Sequence, residues 1–356
     1  MKKNFSINLV YAFISVLIFK EIVFSTSFFE INPVINKLID FIAYGVFILH
    51  IFKRLKLPRN EMILLILLGL ITFVSSILIF NFTLFTSYLI YVLSIIEGKN
   101  KIIKTIFYSS LISIIFVIII YAYNYNIGTI AKVHEHNGRS RHFFGYTSPN
   151  IISYYAIWTF LSYYYLNFYN KKNIFFATIP IIVLYKFTQS NTMLFILCVS
   201  LIFLIFKWEK MINYLCKNGL LIILIFLFTS IILYYKDNNI GIQINNFFNQ
   251  RIYYSLKAIK TFGISIIGLN NINYTQSNII VDVTYINLLC KFGLLYILIL
   301  FFICNRISKK NIYIDKILII IWMIFALSET AALNFLICFA PILDAKNFYK
   351  GGYKNE

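Results

Sequence analysis

The sequence predicts an all-α polytopic membrane protein, and three observations carry that prediction. Of the 356 residues, 60% are hydrophobic and 13% are charged, against about 45–50% and about 25% in a soluble domain. The apolar residues come in unbroken runs, as over 62–80 and 102–122, and about 20 apolar helical residues cross a bilayer core about 30 Å thick. Lys and Arg collect in alternate connections between these runs. Together these exclude a soluble enzyme, a disordered chain and a disulfide scaffold. They also argue against an outer-membrane barrel, whose strands alternate apolar and polar residues over about 10 positions.

Twelve transmembrane spans follow from the apolar runs, at 5–24, 34–52, 61–80, 82–96, 102–123, 148–168, 174–188, 190–206, 219–235, 281–303, 314–328 and 330–343. They form a single integral membrane domain, 1–356. The first span opens with Met1-Lys2-Lys3 and closes at Ser25-Thr26-Ser27, which is the pattern of a signal peptide. Eleven spans follow it, so it reads as an uncleaved anchor. The connections at 53–59, 99–104, 171–172, 207–217 and 306–316, with both termini, hold 21 of the 32 Lys and Arg. The opposite side holds seven, and four lie within spans. Positive charge gathers on the cytoplasmic side, so both termini are predicted to be cytoplasmic, and an even span count agrees. Topology accounts for most of the net charge of +19, and no nucleic-acid partner is called for. The five Cys, at 198, 216, 290, 304 and 338, fall in spans or on the cytoplasmic side without a CxxC pair. Neither disulfides nor a Cys metal site are expected.

Two outer loops stand out, at about 124–147 and 236–280. All seven outward Lys and Arg lie in them: Lys132, Arg139, Arg141, Lys236, Arg251, Lys257 and Lys260. Long loops on a rigid scaffold usually carry function. The first holds His134, His136 and His142 beside Arg139 and Arg141, then Gly145 and the run Thr147-Ser148-Pro149-Asn150. Ser148 suits a helix cap and Pro149 the first helical turn. A helix N-terminus beside two guanidinium groups forms a site for a phosphate-like anion. Contact with anionic lipid headgroups explains the same cations, and the three His allow a zinc alternative. In the second loop, Arg251, Lys257 and Lys260 are expected broadly on one side of an amphipathic helix. Phe247 and Phe248 suggest that a helix lies on the membrane surface.

Asp282 stands at the outer mouth of a span and Glu329 in the tight turn before the last one. A carboxylate at a membrane boundary is costly and tends to be functional. In apolar surroundings either would gain a raised pKa and serve as a general base. Bracing ion pairs with Arg251 or Lys291 are the bland alternative. Lys186 and Lys291, inside spans, either snorkel or pair with a carboxylate. No G-x-x-x-x-G-K-[ST] loop, no paired Asp for a metal-bound nucleotide and no nucleophile elbow is present.

Arg141-x-x-Phe144-Gly145-Tyr146-Thr147-Ser148-Pro149-Asn150 resembles the Arg…Gly-Phe-x-x-Pro-Asn signature of Wzy-type polysaccharide polymerases, of the O-antigen polymerase/ligase family. Three later stretches resemble that family in order. Thr188-Gln189-Ser190-Asn191-Thr192 is similar to its Ser-Arg-Thr/Gly turn, with Asn191 where an Arg is usual. Arg251 with Gly263 and Gly268 is similar to its Arg…Gly-x-x-x-x-Gly pattern. Asp282-Val283-Thr284-Tyr285-Ile286 is similar to its Asp/His-Asn-x-Tyr-Leu motif, with Val283 for the usual Asn. Glu329 with Asn334 is similar to its late acidic position.

The resemblance implies a GT-C-like membrane glycosyltransferase in a bacterial inner or plasma membrane. It would join undecaprenyl-pyrophosphate-linked oligosaccharide repeat units into a capsule or O-antigen on the outer face. Asp282, Glu329 and His142 are then the candidate bases. Arg139, Arg141, Asn150, Arg251, Lys257 and Tyr285 are the candidate ligands of pyrophosphate and glycan. No cofactor is expected, and no metal either, because no acidic pair suits a hard cation and the Arg residues can neutralise the leaving group. The partners are the lipid-linked donor and acceptor and membrane lipids, with room for a chain-length regulator and a flippase. An O-antigen-ligase-like transferase, which uses His where Asp282 stands, is the nearest rival. A lipid-linked sugar flippase or transporter is the rival from another class; it would place its charge along a central cavity rather than in outer loops.

Overall fold

The computed structural model describes residues 2–29, 32–55, 59–79, 81–126, 133–136, 139–206, 208–266, 281–310 and 312–344. Of the positions named above, Met1, Lys132 and Gly268 lie outside them. In chain order the helices are α1 (Lys2–Val23), α2 (Pro33–Arg54), α3 (Arg59–Ile79), α4 (Thr83–Glu97) and α5 (Lys99–Asn126). A hairpin follows, β1 (Val133–His136) and β2 (Arg139–His142). Then come α6 (Pro149–Leu166), α7 (Lys171–Thr188), α8 (Asn191–Ile205), α9 (Glu209–Tyr235), α10 (Asn239–Phe247) and α11 (Arg251–Phe262). The last are α12 (Thr284–Asn287), α13 (Leu294–Ser308) and α14 (Tyr313–Phe325).

Three of these helices, Pro33–Arg54, Lys99–Asn126 and Glu209–Tyr235, are long and apolar enough to cross a membrane. Shorter apolar helices occupy Leu65–Ile79, Thr83–Glu97, Asn191–Ile205 and Leu294–Ser308. The predicted spans from 5–24 to 219–235 overlap α1 to α9 one for one. All five Cys are free thiols. The chain forms two compact units, Met1–Glu61 with Leu89–Ile205 and Ala345–Glu356, and Met62–Tyr88 with Phe206–Asp344.

In the first unit, local chemistry sets the helix starts. Asn32 accepts a hydrogen bond from the Val34 amide at 2.9 Å with Pro33 in the first turn of α2. Ser148 does the same for α6, accepting from Asn150 N at 3.3 Å ahead of Pro149. α5 buries Ile102, Ile106, Ser110, Ser113, Val117 and Tyr121, a stripe at helical spacing. Its opposite face is equally apolar but exposed, with Ile112 at 62% and Ile119 at 60%. A helix apolar all round suits a lipid-facing position. Ser109 donates to Ser15 at 2.7 Å between α5 and α1, a small polar contact of the kind that joins membrane helices. Charges in or beside predicted spans find partners: Lys20 pairs with Asp40, and Glu97, just past the span at 82–96, accepts from His50 at 2.6 Å with Arg54 at 3.8 Å.

The second unit centres on α14, which is buried along almost its whole length. Two predictions need correction here. The span expected at 281–303 is broken into α12, one π-helical turn (Leu288–Phe292) and α13, with Gly293 at φ +97° between the last two. The freed backbone groups are met by a returning strand of chain: Ser265 N donates to Leu289 O, Leu294 N to Ser265 O and Leu295 N to Ile266 O, at 3.1, 2.9 and 3.2 Å. The span expected at 330–343 is not a continuous helix but two 3-10 turns, Thr330–Leu333 and Ala340–Asp344. Pro341 explains part of this, since it has no N–H to give and crowds the preceding turn. Buried irregular backbone must still be satisfied. Ser87 donates to Leu333 O at 2.7 Å and accepts from Phe335 N at 3.1 Å, and Trp322 Nε1 donates to Ala332 O at 2.9 Å. Asp344, fully buried, ends the segment against Arg306 at 3.3 Å and Lys310 at 3.8 Å.

Candidate functional site

Backbone ties bring two distant carboxylates together in the second unit. Thr284, at the start of α12, is fully buried. Its hydroxyl donates to Glu329 O at 2.5 Å and its amide to Ala326 O at 2.9 Å. That clamp sets Asp282, two residues before Thr284, close to Glu329. Arg251, the first residue of α11, faces both. Its Nε lies 3.6 Å from Asp282 Oδ2 and its Nη2 3.6 Å from Glu329 Oε1. The side chains are unequally covered: Asp282 is 45% exposed, Glu329 14% and Arg251 16%. At 3.6 Å these are ion pairs rather than hydrogen bonds.

The position of Arg251 is itself prepared. Asn249 and Gln250 precede it at φ +49° and +65°, a left-handed reversal between α10 and α11. Buried Asn245 closes that reversal: its Oδ1 accepts from Tyr253 N and its carbonyl from Gln250 N, both at 2.8 Å. Asn245 thus takes the capping role that Gln250 leaves vacant at the N-terminus of α11.

The first unit holds the other cluster, built on the loop motif. Ser27 N donates to Gly145 O at 2.7 Å and the Tyr146 hydroxyl to Ile22 O at 2.6 Å, so the motif docks on the end of α1. Gly145 is at φ +81°, and a Cβ there would lie 2.5 Å from the Phe28 ring. Both facts demand glycine. Burial pushes the Tyr146 phenol above its usual pKa. Arg141 Nε donates to Thr188 O at 2.8 Å and Nη2 to Asn150 Oδ1 at 2.8 Å. Thr188 is the last residue of α7, where unpaired carbonyls and the helix dipole favour a cation. Arg141 therefore joins β2, α6 and the end of α7. His142 Nδ1 pairs with the Tyr121 hydroxyl at 2.7 Å, and its ring packs 5.3 Å from that of Phe187. Burial holds the imidazole below the ordinary histidine pKa.

Several expectations change in this light. Tyr285, expected as a ligand of pyrophosphate and glycan, is fully buried. Its hydroxyl donates to Met323 O at 2.9 Å, so it packs α12 on α14 instead. Lys260 does not share a side with Arg251: nine residues are two and a half turns, and its ammonium sits over the Tyr235 ring at 4.3 Å. Lys257 lies on the same helix, half-buried. Arg139 is a strand partner of His136 and Arg141 of His134. In that register positions 134, 136, 139 and 141 share one face of the hairpin, while 142 pairs with 133 on the other. The zinc alternative needs 134, 136 and 142 together. The side chains of Arg139, His134 and His136 lie outside the described residues. Thr284 and Asn245 are the positioning residues that sequence reasoning missed. Neither carries a charge; Thr284 stands at the variable position of the 282–286 motif, Asn245 in no motif, and burial marks both. No protein-family model matches the chain, nor does any curated protein or solved structure.

Proposed function

We propose that this protein is a GT-C-like polytopic membrane glycosyltransferase with cytoplasmic termini. It polymerises undecaprenyl-pyrophosphate-linked repeat units on the outer face of a bacterial inner or plasma membrane. The observation that carries the reading is Arg251 held against Asp282 and Glu329. Asp282 is the more open carboxylate and the one an acceptor hydroxyl can reach. The acceptor oxygen attacks the anomeric carbon of the donor, and its proton passes to Asp282. The bond from that carbon to phosphate breaks, and undecaprenyl pyrophosphate leaves with the electron pair. General-base assistance of this kind contributes about 10²–10⁴-fold. Arg251 binds phosphate oxygens with its guanidinium fork as charge develops on the leaving group, and such charge stabilisation lowers the barrier more than the base does. Glu329 holds the fork in place between turnovers. His142, neutral and fixed by Tyr121, is the rival base.

Purified protein in proteoliposomes, given a synthetic undecaprenyl-pyrophosphate repeat unit, should produce a ladder of products spaced by one repeat. A single transfer to an added acceptor would favour the ligase reading. Movement of the intact lipid-linked sugar across the bilayer without bond formation would favour the flippase. Either outcome overturns the polymerase.

A further inference from the structure

α10 presents three faces. It buries Gly241 and Asn245. A Cβ on Gly241 would lie 2.4 Å from Tyr234 N and 2.5 Å from the Leu233 carbonyl carbon, so α10 rests directly on the last turn of α9. Most of the rest of its surface divides by chemistry, with exposed Ile242 between the buried face and the polar stripe. Ile240, Ile244 and Phe247 stand at i, i+4 and i+7 and form one stripe. Ile240 is 58% exposed, Phe247 81%, and Ile244 half-buried. Asn239, Gln243 and Asn246 repeat the same spacing as a second, wholly exposed stripe. At 3.6 residues per turn the two stripes lie about 100° apart.

The path of the helix indicates what covers the apolar stripe. Asp237, at φ +51°, reverses the chain after α9, and Asn238 caps α10 by accepting from Ile240 N at 2.9 Å. Phe248, just past α10, packs its ring 6.0 Å from that of Phe226, nine residues before the end of α9. α10 therefore folds back along α9 rather than leaving it. α9 is long and apolar enough to cross a membrane, and it exposes Ile225 and Ile232 along its length. Acyl chains beside α9 are thus continuous with Ile240 and Phe247, and no second protein is required.

We infer that α10 re-enters the leaflet at the C-terminal end of α9. Ile240, Ile244 and Phe247 sit among acyl chains, and Asn239, Gln243 and Asn246 face water. Asn245, on the buried face, ties this seat to the first turn of α11, so the height of α10 in the bilayer also sets the height of Arg251.

Nitroxide labels on single Cys at 240, 243, 246 and 247, in a Cys198→Ser background, test this in phosphatidylethanolamine–phosphatidylglycerol vesicles. Power saturation with oxygen and with a polar nickel chelate should give an oxygen-to-nickel accessibility ratio severalfold higher at 240 and 247 than at 243 and 246. Equal ratios at the four sites overturn the proposal. So does shielding of all four from both reagents, which would mean a protein partner covers the helix. Phe247→Trp, read by bromolipid quenching, gives a second measure without a label: no quenching above that of the parent protein also overturns it. Polymerase activity enters neither readout.

Discussion

Arg251 faces two carboxylates at the same distance but not in the same medium, and that asymmetry is measurable. Two unit charges 3.6 Å apart interact by about 1 kcal/mol in water and about 5 kcal/mol at an effective dielectric of 20. Asp282 is nearly half exposed, so its pairing should fall at or below the water limit, about 0.2–1 kcal/mol. Glu329 is largely covered. Removing its partner leaves a poorly solvated charge, and the loss should be about 2–3 kcal/mol, short of the 3–5 kcal/mol of a fully buried pair. Two double-mutant cycles separate the two pairings: Arg251→Gln with Glu329→Gln, and Arg251→Gln with Asp282→Asn. Unfolding by SDS titration in mixed micelles gives each free energy. The Glu329 cycle should show a coupling of about 1–3 kcal/mol and the Asp282 cycle less than about 1 kcal/mol. Equal couplings, or a larger one at Asp282, would refute the reasoning that coverage decides which carboxylate holds Arg251.

Four other outcomes are expected. Asp282→Asn should keep its donor affinity while polymer formation drops by a hundredfold or more, the scale of a lost general base; a mutant with normal turnover would move the role to Glu329 or His142. Arg141→Lys should lower stability by about 1.5–3 kcal/mol, because one ammonium cannot replace both charged donor bonds, and an unchanged unfolding midpoint would sink the bracing role. His142 titrates below its ordinary pKa in the folded protein. The native state then resists protonation, so the stability from this group is present above the unfolded value of about 6.5 and declines as pH falls below it; wild type should lose more thermal stability than His142→Gln between pH 7.5 and 5.5. Asn137→Cys, in a Cys198→Ser background, should react with an impermeant maleimide in intact cells; labelling only after lysis would invert the topology.

Much of the fold was legible because long apolar runs announce helices, and α1 to α9 overlap the predicted runs. Legibility failed where tertiary hydrogen bonds replaced helical ones. Gly293 sits in an apolar run that reads as one span, and nothing local to it signals that Ser265 and Ile266 supply the missing partners. Pro341 did mark the break in the last segment, but the surrounding Leu, Ile and Phe outweighed it. At the candidate site, Arg251, Asp282 and Glu329 were conspicuous as charges near membrane boundaries. A pairing of Asp282 with Arg251 was weighed there as the bracing alternative; that Glu329 shares the same guanidinium was not, because it depends on Thr284 and Asn245. Tyr285 misled for a related reason: a four-residue helix gives too short a period to tell its buried side from its open one.

The returning chain at Ser265 and Ile266 also bears on the order in which the protein is made. Each amide or carbonyl left bare in lipid costs several kcal/mol, and the break after Leu288 would leave three. The residues that satisfy them precede the break in the sequence, so the ribosome delivers them first. On the proposed topology, 281–303 enters the bilayer with its missing partners already made, and the irregular segment never has to wait in lipid for a later one. Moving Ser265 and Ile266 to the far side of that span by circular permutation would reverse the sequence of events and should trap the chain during insertion.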